Sequence, residues 1–224
     1  MKITKLKLMI NPRILKARII RGINPFYGYS ALLAKKYGGN IRTIIDIGAN
    51  VGEYSLACRE VFPDAKIFSF EPNPRAFEKL EKEDFLVSYN CALTNKNGKV
   101  NFNFDEEWDS TSSLLDYGRG NKRFGVKLKK IKLEGRRFDS LHIEIKKPCF
   151  AKIETQGTEA KVLEGFGDKL KKVDVLNVIF NFIDNYEGQS KLSEIAKLTE
   201  EAGFKKFIQV WINEKKGCEF YFFR

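Results

Sequence analysis

The chain predicts a doubly wound α/β domain, in which a mostly parallel sheet carries helices on both faces. Three features of its 224 residues point there. Two apolar runs, Thr43–Gly48 and Lys66–Phe70, lead into turns rich in glycine or proline, and a helical pattern follows each. After an interruption, the same strand-then-helix rhythm returns from Cys149 onward. Two last strands, Phe207–Ile212 and Glu219–Phe223, come as a pair. Alternation of this kind covers a parallel sheet on both sides and leaves its strands almost continuously apolar.

Residues 1–42 read as a basic accessory segment. It has short amphipathic helical stretches around Ile14, Leu15, Ile19 and Ile20, and again at Leu32 and Leu33, interrupted by Pro12 and Pro25. The domain proper is expected over 43–224. Thr43–Gly48 is a buried strand and Glu53–Phe62 a helix that starts right after a glycine loop. Lys66–Phe70 is the second strand, and Pro74–Glu83 a helix with proline in its first turn, where the missing N–H does no harm. Phe85–Cys91 is the third strand. Lys99–Phe104 then alternates polar and apolar after Asn97-Gly98, a hairpin signal, and Val126–Leu133 alternates in the same way. This middle block is a β insertion. Cys149–Ile153 is a strand and Thr158–Leu170 a helix with Val162, Leu163 and Phe166 on one face. Val173–Phe182 is the most apolar strand, and the amphipathic helix Gln189–Ala202 stops at Gly203.

An apolar content of 43% excludes a disordered chain. No apolar run approaches the roughly 18 to 20 residues of a membrane span, and the basic N-terminus lacks the apolar core of a secretory signal. Cys58, Cys91, Cys149 and Cys218 are widely spaced with no C-x-x-C pair. They read as buried thiols in a reducing, cytoplasmic setting, and no metal site is expected. The net charge of +11 is uneven: residues 1–42 carry +10, 43–116 carry −7, 117–137 carry +8, and the remainder balances. The two positive blocks suit an acidic partner such as an anionic glycan, a lipid headgroup, a nucleotide-linked substrate or nucleic acid. Peripheral membrane contact through residues 1–42 is one such expectation. A solvated, solubilising face is the alternative.

The ligand class is read from the first two strand ends. Asp46-Ile-Gly48-Ala-Asn50-Val-Gly52 lacks the middle glycine of the G-x-G-x-x-G turn that meets a pyrophosphate. Asp46 would repel phosphate but suits an ammonium or sulfonium group. Glu71, at the end of the second strand, can accept hydrogen bonds from ribose hydroxyls. S-adenosyl-L-methionine combines these features, and it fits better than a dinucleotide.

Taken in order, DIGANVG (46–52), FEP (70–72), NCALTN (90–95), STSSL (110–114), FDSL (138–141), KIETQGTEAKVLEGF (152–166) and YEGQ (186–189) resemble the FkbM-type class I S-adenosylmethionine-dependent methyltransferases. The resemblance covers roughly residues 43–210. It implies a Rossmann-like seven-stranded sheet with the last strand antiparallel. Gly48, Asn50 and Gly52 would then shape the loop under the methionine part of the cofactor, Asp46 would help hold its ammonium end, and Glu71 would take the ribose. Cys91 and Ala92 would pass near adenine, and Ser110, Thr111, Ser112 and Ser113 would lie over the cofactor. Lys152, Glu154 and Gln156 would stand where donor meets acceptor, with Asn181 and Tyr186 lining the acceptor pocket. The chain departs from the family pattern at Glu154, where aspartate is commoner, and at Ile179, where the fifth strand more often carries an acid.

The activity implied is methyl transfer to a hydroxyl of a glycan or other small molecule. Glu154 is the candidate base; alternatively it only pairs with Lys152 or caps the following helix. His142, the single histidine, has no motif role, and no histidine stands in relation to the serine run. Trp108 either stacks on a ligand or packs in the core. Two other functions remain open at this stage: a nucleic-acid methyltransferase, prompted by the charged blocks, and a catalytically silent cofactor-binding subunit, prompted by Ile179.

Overall fold

A computed structural model describes residues 24–213 and 217–224. The basic stretch around Ile14, Leu15, Ile19 and Ile20 lies outside the described residues. The first described element is α1 (Pro25–Gly38), whose N-cap Asn24 accepts from the Phe26 N–H at 3.0 Å. β1 (Thr43–Ile47), α2 (Glu53–Val61), β2 (Lys66–Phe70), α3 (Pro74–Leu80) and β3 (Val87–Tyr89) follow. The insertion comprises β4 (Ala92–Leu93), β5 (Gly98–Phe104) and β6 (Lys129–Arg136). The domain then resumes with β7 (Cys149–Ile153), α4 (Glu159–Phe166), β8 (Val175–Asn181), α5 (Leu192–Glu201), β9 (Lys206–Asn213) and β10 (Gly217–Phe223).

Seven strands form the main sheet in the order β3-β2-β1-β7-β8-β10-β9. All neighbours are parallel except β10, which runs antiparallel to both β8 and β9. Each central strand is buried on both faces, so successive side chains feed two cores. Ile44, Ile67, Phe150 and Val175 pack with Tyr54, Cys58 and Phe62 on the α1–α2 side. Ile45, Ile47, Phe68 and Ile153 pack with Leu163, Phe166 and Ile195 of α4 and α5 on the other.

Two expectations change. First, no break falls at residues 42–43. Ala31, Leu33, Ala34 and Ile41 sit in the same core as α2, so this part of the accessory segment belongs to the domain. Second, Asn97-Gly98 does not join a hairpin of its own flanking strands. β4 and β5 both pair with β6, which lies between them. The third strand is correspondingly short, because the chain leaves the main sheet after Tyr89 and Ala92–Leu93 enters the second one.

One row of polar side chains crosses the otherwise apolar sheet. Ser69, Asp46, Lys152, Asn177 and Tyr221 are successive register partners on β2, β1, β7, β8 and β10. Directly opposed residues share a face, and none of these five is more than 2% exposed. The row lies beneath the carboxyl ends of the parallel strands, where open α/β sheets receive ligands.

Candidate active site

A cavity of about 300 Å³ opens at those strand ends. The loop after β1 forms its floor. Gly48 has φ +73, and a Cβ there would meet the Glu154 carbonyl oxygen at 1.9 Å, so only glycine lets β1 and β7 approach this closely. Asn50 also has positive φ, and Gly52, at φ 90, starts α2. Both oxygens of Glu71 hold this region: Oε2 accepts from the Asn50 N–H at 2.7 Å and Oε1 from the Asn73 N–H at 2.8 Å. Burial raises the Glu71 carboxyl to about 7, partly offset by those two N–H groups.

Lys152 is the charged centre beneath the cavity. Its Nζ donates to the Gly48 carbonyl at 2.8 Å and lies 3.1 Å from Asp46 Oδ1 and 3.3 Å from Glu154 Oε2. Burial works against the charge, but Asp46 and Glu154 outweigh it and hold Lys152 ionised, with its affinity for the proton raised. Asp46 Oδ2 accepts from the Ser55 hydroxyl at 2.7 Å, and Ser55 in turn lies 2.8 Å from Ser69. Glu154, with 28% of its side chain exposed, reaches the cavity.

The loop between β5 and β6 straps over the opening. Arg75 Nη1 donates to the Glu106 carbonyl at 2.6 Å on one side. On the other, the Ser113 hydroxyl donates to the Gln156 carbonyl at 2.7 Å, and Tyr186 Oη lies 3.0 Å from both the Thr111 carbonyl and Gln156 Oε1. Asp105 organises the strap. It accepts from the N–H groups of Glu107 and Trp108, from the Tyr117 hydroxyl and from Arg123 at 2.6 Å. Burial opposes its ionisation, but the Tyr117 and Arg123 bonds prevail and lower it to about 2. Trp108 is 55% exposed with the Arg123 guanidinium 5.4 Å from its ring, so it is no core residue.

Gly48, Asn50, Glu71, Cys91, Ala92, Ser110, Ser112, Ser113, Lys152, Glu154 and Gln156 all line the one cavity. Asp46 does not: it is fully buried below, committed to Lys152 and Ser55, and serves as a counter-ion rather than facing a ligand. Gly52 acts on the backbone alone. Asn181 borders a separate hollow beside Gln189, and Tyr186 is packed against Tyr117 with its hydroxyl fastening the strap. Neither lines the cavity that Glu154 reaches. Glu154 pairs with Lys152 as one alternative held, but it does not cap the next helix. Glu159 ties that turn instead, accepting from the N–H groups of Thr155 and Gly157. His142 is exposed. Among the described residues no cluster of His, Cys, Asp and Glu could hold a metal, all four cysteines are free and buried, and no helix is long and apolar enough to cross a membrane.

Sequence reading missed Tyr27, Glu53 and Tyr54, which line the cavity from α1 and α2. Asn24-Pro25, a cap followed by proline at the first helical position, was the available signal for α1. The basic block 117–137 also changes meaning. Arg123, Lys129, Lys130, Arg136 and Arg137 pair with Asp105, Glu106, Asp116, Glu134 and Asp139, so much of its charge is spent within the chain.

This strand order, with a cavity at the carboxyl ends and an acid closing β2, defines a Rossmann-like methyltransferase. The chain matches the Methyltransferase FkbM domain over residues 46–206 and belongs to that family of enzymes. It is 27% identical over 173 residues to the 2-O-methyltransferase NoeI of Sinorhizobium fredii, covering 69% of this chain and 70% of that one. It is 26% identical over 163 residues to the hexuronic acid methyltransferase AglP of Haloferax volcanii, covering 70% and 63%. Among solved structures, the magnesium protoporphyrin IX methyltransferase ChlM of Synechocystis PCC 6803 with bound SAM aligns at a TM-score of 0.46 and 10% identity, over 88% of this chain and 76% of that one.

Proposed function

We propose that this chain transfers a methyl group from S-adenosylmethionine to a hydroxyl oxygen of a saccharide or another small molecule. The observation that carries the reading is the charge of the cavity. Glu53, Glu71 and Glu154 line it, while its one lysine is matched from below by Asp46. Such a site favours a cationic, ribose-bearing ligand over a phosphate. Each Glu71 oxygen, having accepted one N–H, keeps a lone pair for a ribose hydroxyl. Cys91 and Ala92 would flank the base. When bound, S-adenosylmethionine supplies an electrophilic methyl group on a sulfonium sulfur and leaves as the neutral thioether.

The chain's own work is alignment, desolvation and handling one proton. Holding two reactants in line can contribute on the order of 7–11 kcal/mol. Glu154 accepts the proton of the acceptor hydroxyl, and Lys152, 3.3 Å from its Oε2, keeps that side chain oriented until the acceptor arrives. Ser112 and Gln156 face the same space from the strap and from the end of β7. The saccharide preference draws on the names of two relatives, a 2-O-methyltransferase and a hexuronic acid methyltransferase. Internal pairing of Arg123, Lys129, Lys130, Arg136 and Arg137 weakens the argument for nucleic acid that rests on the 117–137 block.

Release of S-adenosylhomocysteine, measured against oligosaccharides, lipids and RNA, tests the reading. A saccharide should support turnover, and Glu154→Gln should lower kcat about a hundredfold or more while leaving S-adenosylhomocysteine binding intact. Normal turnover by Glu154→Gln would remove it as the base, and Glu71→Ala binding the cofactor unchanged would remove the ribose assignment.

A further inference from the structure

Tyr27 lies outside the segment matched to the family, yet it forms part of the cavity wall. The helix that carries it is firmly held. Ser30, one turn on, is within 2.5 Å of the Tyr54 hydroxyl and 2.6 Å from the Tyr221 hydroxyl. Ala31 and Ala34 have no exposed surface. The ring of Tyr27 meets that of Tyr54 edge-on, with centroids 5.5 Å apart and planes at 64°. Tyr54 already has a cation, Lys152 Nζ, 5.2 Å from its ring centroid. Tyr27 has none among the described residues, and its hydroxyl makes no hydrogen bond there.

The surroundings are anionic. Glu53 and Glu154 line the same cavity, and both act on the Tyr27 phenol. Burial first, and then Glu154, push that phenol up to about 12, so it stays neutral and adds no charge of its own. A neutral aromatic ring among carboxylates attracts a cation through its quadrupole and gains little from a neutral ligand.

We propose that Tyr27 is a positioning residue that senses cofactor charge: with Glu53, Tyr54 and Glu154 it holds the sulfonium end of S-adenosylmethionine and lets the neutral thioether go. The inference rests on the cofactor reading above. It makes α1 a working wall of the site and gives the enzyme a means of favouring substrate over product.

Calorimetric titration of the full chain with S-adenosylmethionine and, separately, S-adenosylhomocysteine tests this without turnover. Tyr27→Leu should weaken S-adenosylmethionine about three- to tenfold relative to S-adenosylhomocysteine. Tyr27→Phe, which keeps the ring, should preserve the parent ratio. Equal weakening of both ligands in Tyr27→Leu, or a Tyr27→Phe ratio as low as that of Tyr27→Leu, overturns the proposal and leaves the cofactor reading standing. Should the leucine variant fail to fold, Tyr27→Met, with its unbranched apolar side chain, is judged by the same ratio. If the parent binds neither ligand, the cofactor reading itself fails and takes this inference with it.

Discussion

Glu219 lies directly across from Ile179 in the antiparallel β8–β10 ladder, and its side chain has no exposed surface. Glu219 thus places an acid beside Ile179 on the same face of the sheet. The Tyr221 hydroxyl donates to its Oε2, while Oε1 has no partner among the described residues. Burial raises this carboxyl to about 8. A folded-state value above the unfolded one means that folding binds a proton between about pH 4.5 and 8. The stability contribution is therefore full below the unfolded value and declines as pH rises through the folded one, by about 1.4 kcal/mol per pH unit at most. Thermal melts should show Glu219→Gln gaining on the parent between pH 5 and pH 8.5. Glu71, raised to about 7, leaves a smaller slope of the same sign in both proteins. Parallel melting curves for the two would refute the assignment.

Lys152 and Asp46 form a buried pair, so removing one partner strands the other. Lys152→Met should lower the unfolding free energy by about 3–5 kcal/mol. Asp46→Asn in the same chain should restore part of that loss, since it removes the stranded charge. Urea midpoints of the two single variants and the double variant measure the coupling; simple additivity would contradict it.

Gly48 offers a contrast within one residue type. Gly48→Ala adds a Cβ into the Glu154 carbonyl, and it should abolish cofactor binding and destabilise the fold by more than the roughly 1–2 kcal/mol of a left-handed residue. Gly39 and Gly98 also have positive φ, but a Cβ at either meets nothing within 4 Å. Their alanine variants should show the backbone cost alone in chemical denaturation and bind the cofactor as the parent does.

Deleting residues 1–42 removes α1 and uncovers the surface that Leu33 and Ile41 bury, each contributing about 1.5–3 kcal/mol. That truncation should melt far lower than the parent or fail to fold. Deleting residues 1–23 spares α1 and is the proper test of the basic arm. Cosedimentation with anionic vesicles should fall with this shorter deletion if the arm meets membranes, and stay constant if it does not.

The parts of the fold legible in sequence were those governed by local pattern. Apolar runs marked the central strands, Pro74 and Gly203 marked a helix start and a helix stop, and Glu71 was readable because a strand end fixes its direction. What depends on register was not legible. Asp46, Lys152, Asn177 and Tyr221 are scattered along the chain, and only pairing across the sheet makes them one row. The pairing of Asp46 with Lys152, and the absence of Asn181 and Tyr186 from the cavity lining, could not be read from their positions along the chain. Glu219 was hidden for the same reason. Tyr27 was missed because a positively charged segment obscured a well-capped helix.

Ser30 touches the hydroxyls of Tyr54 and Tyr221, and the latter is 191 positions downstream. During synthesis, then, α1 has no final seat until β10 has emerged and joined the sheet. A nascent chain cannot complete the Tyr27 wall, or the competence for methyl transfer that depends on it, before Gly217–Phe223 has been made.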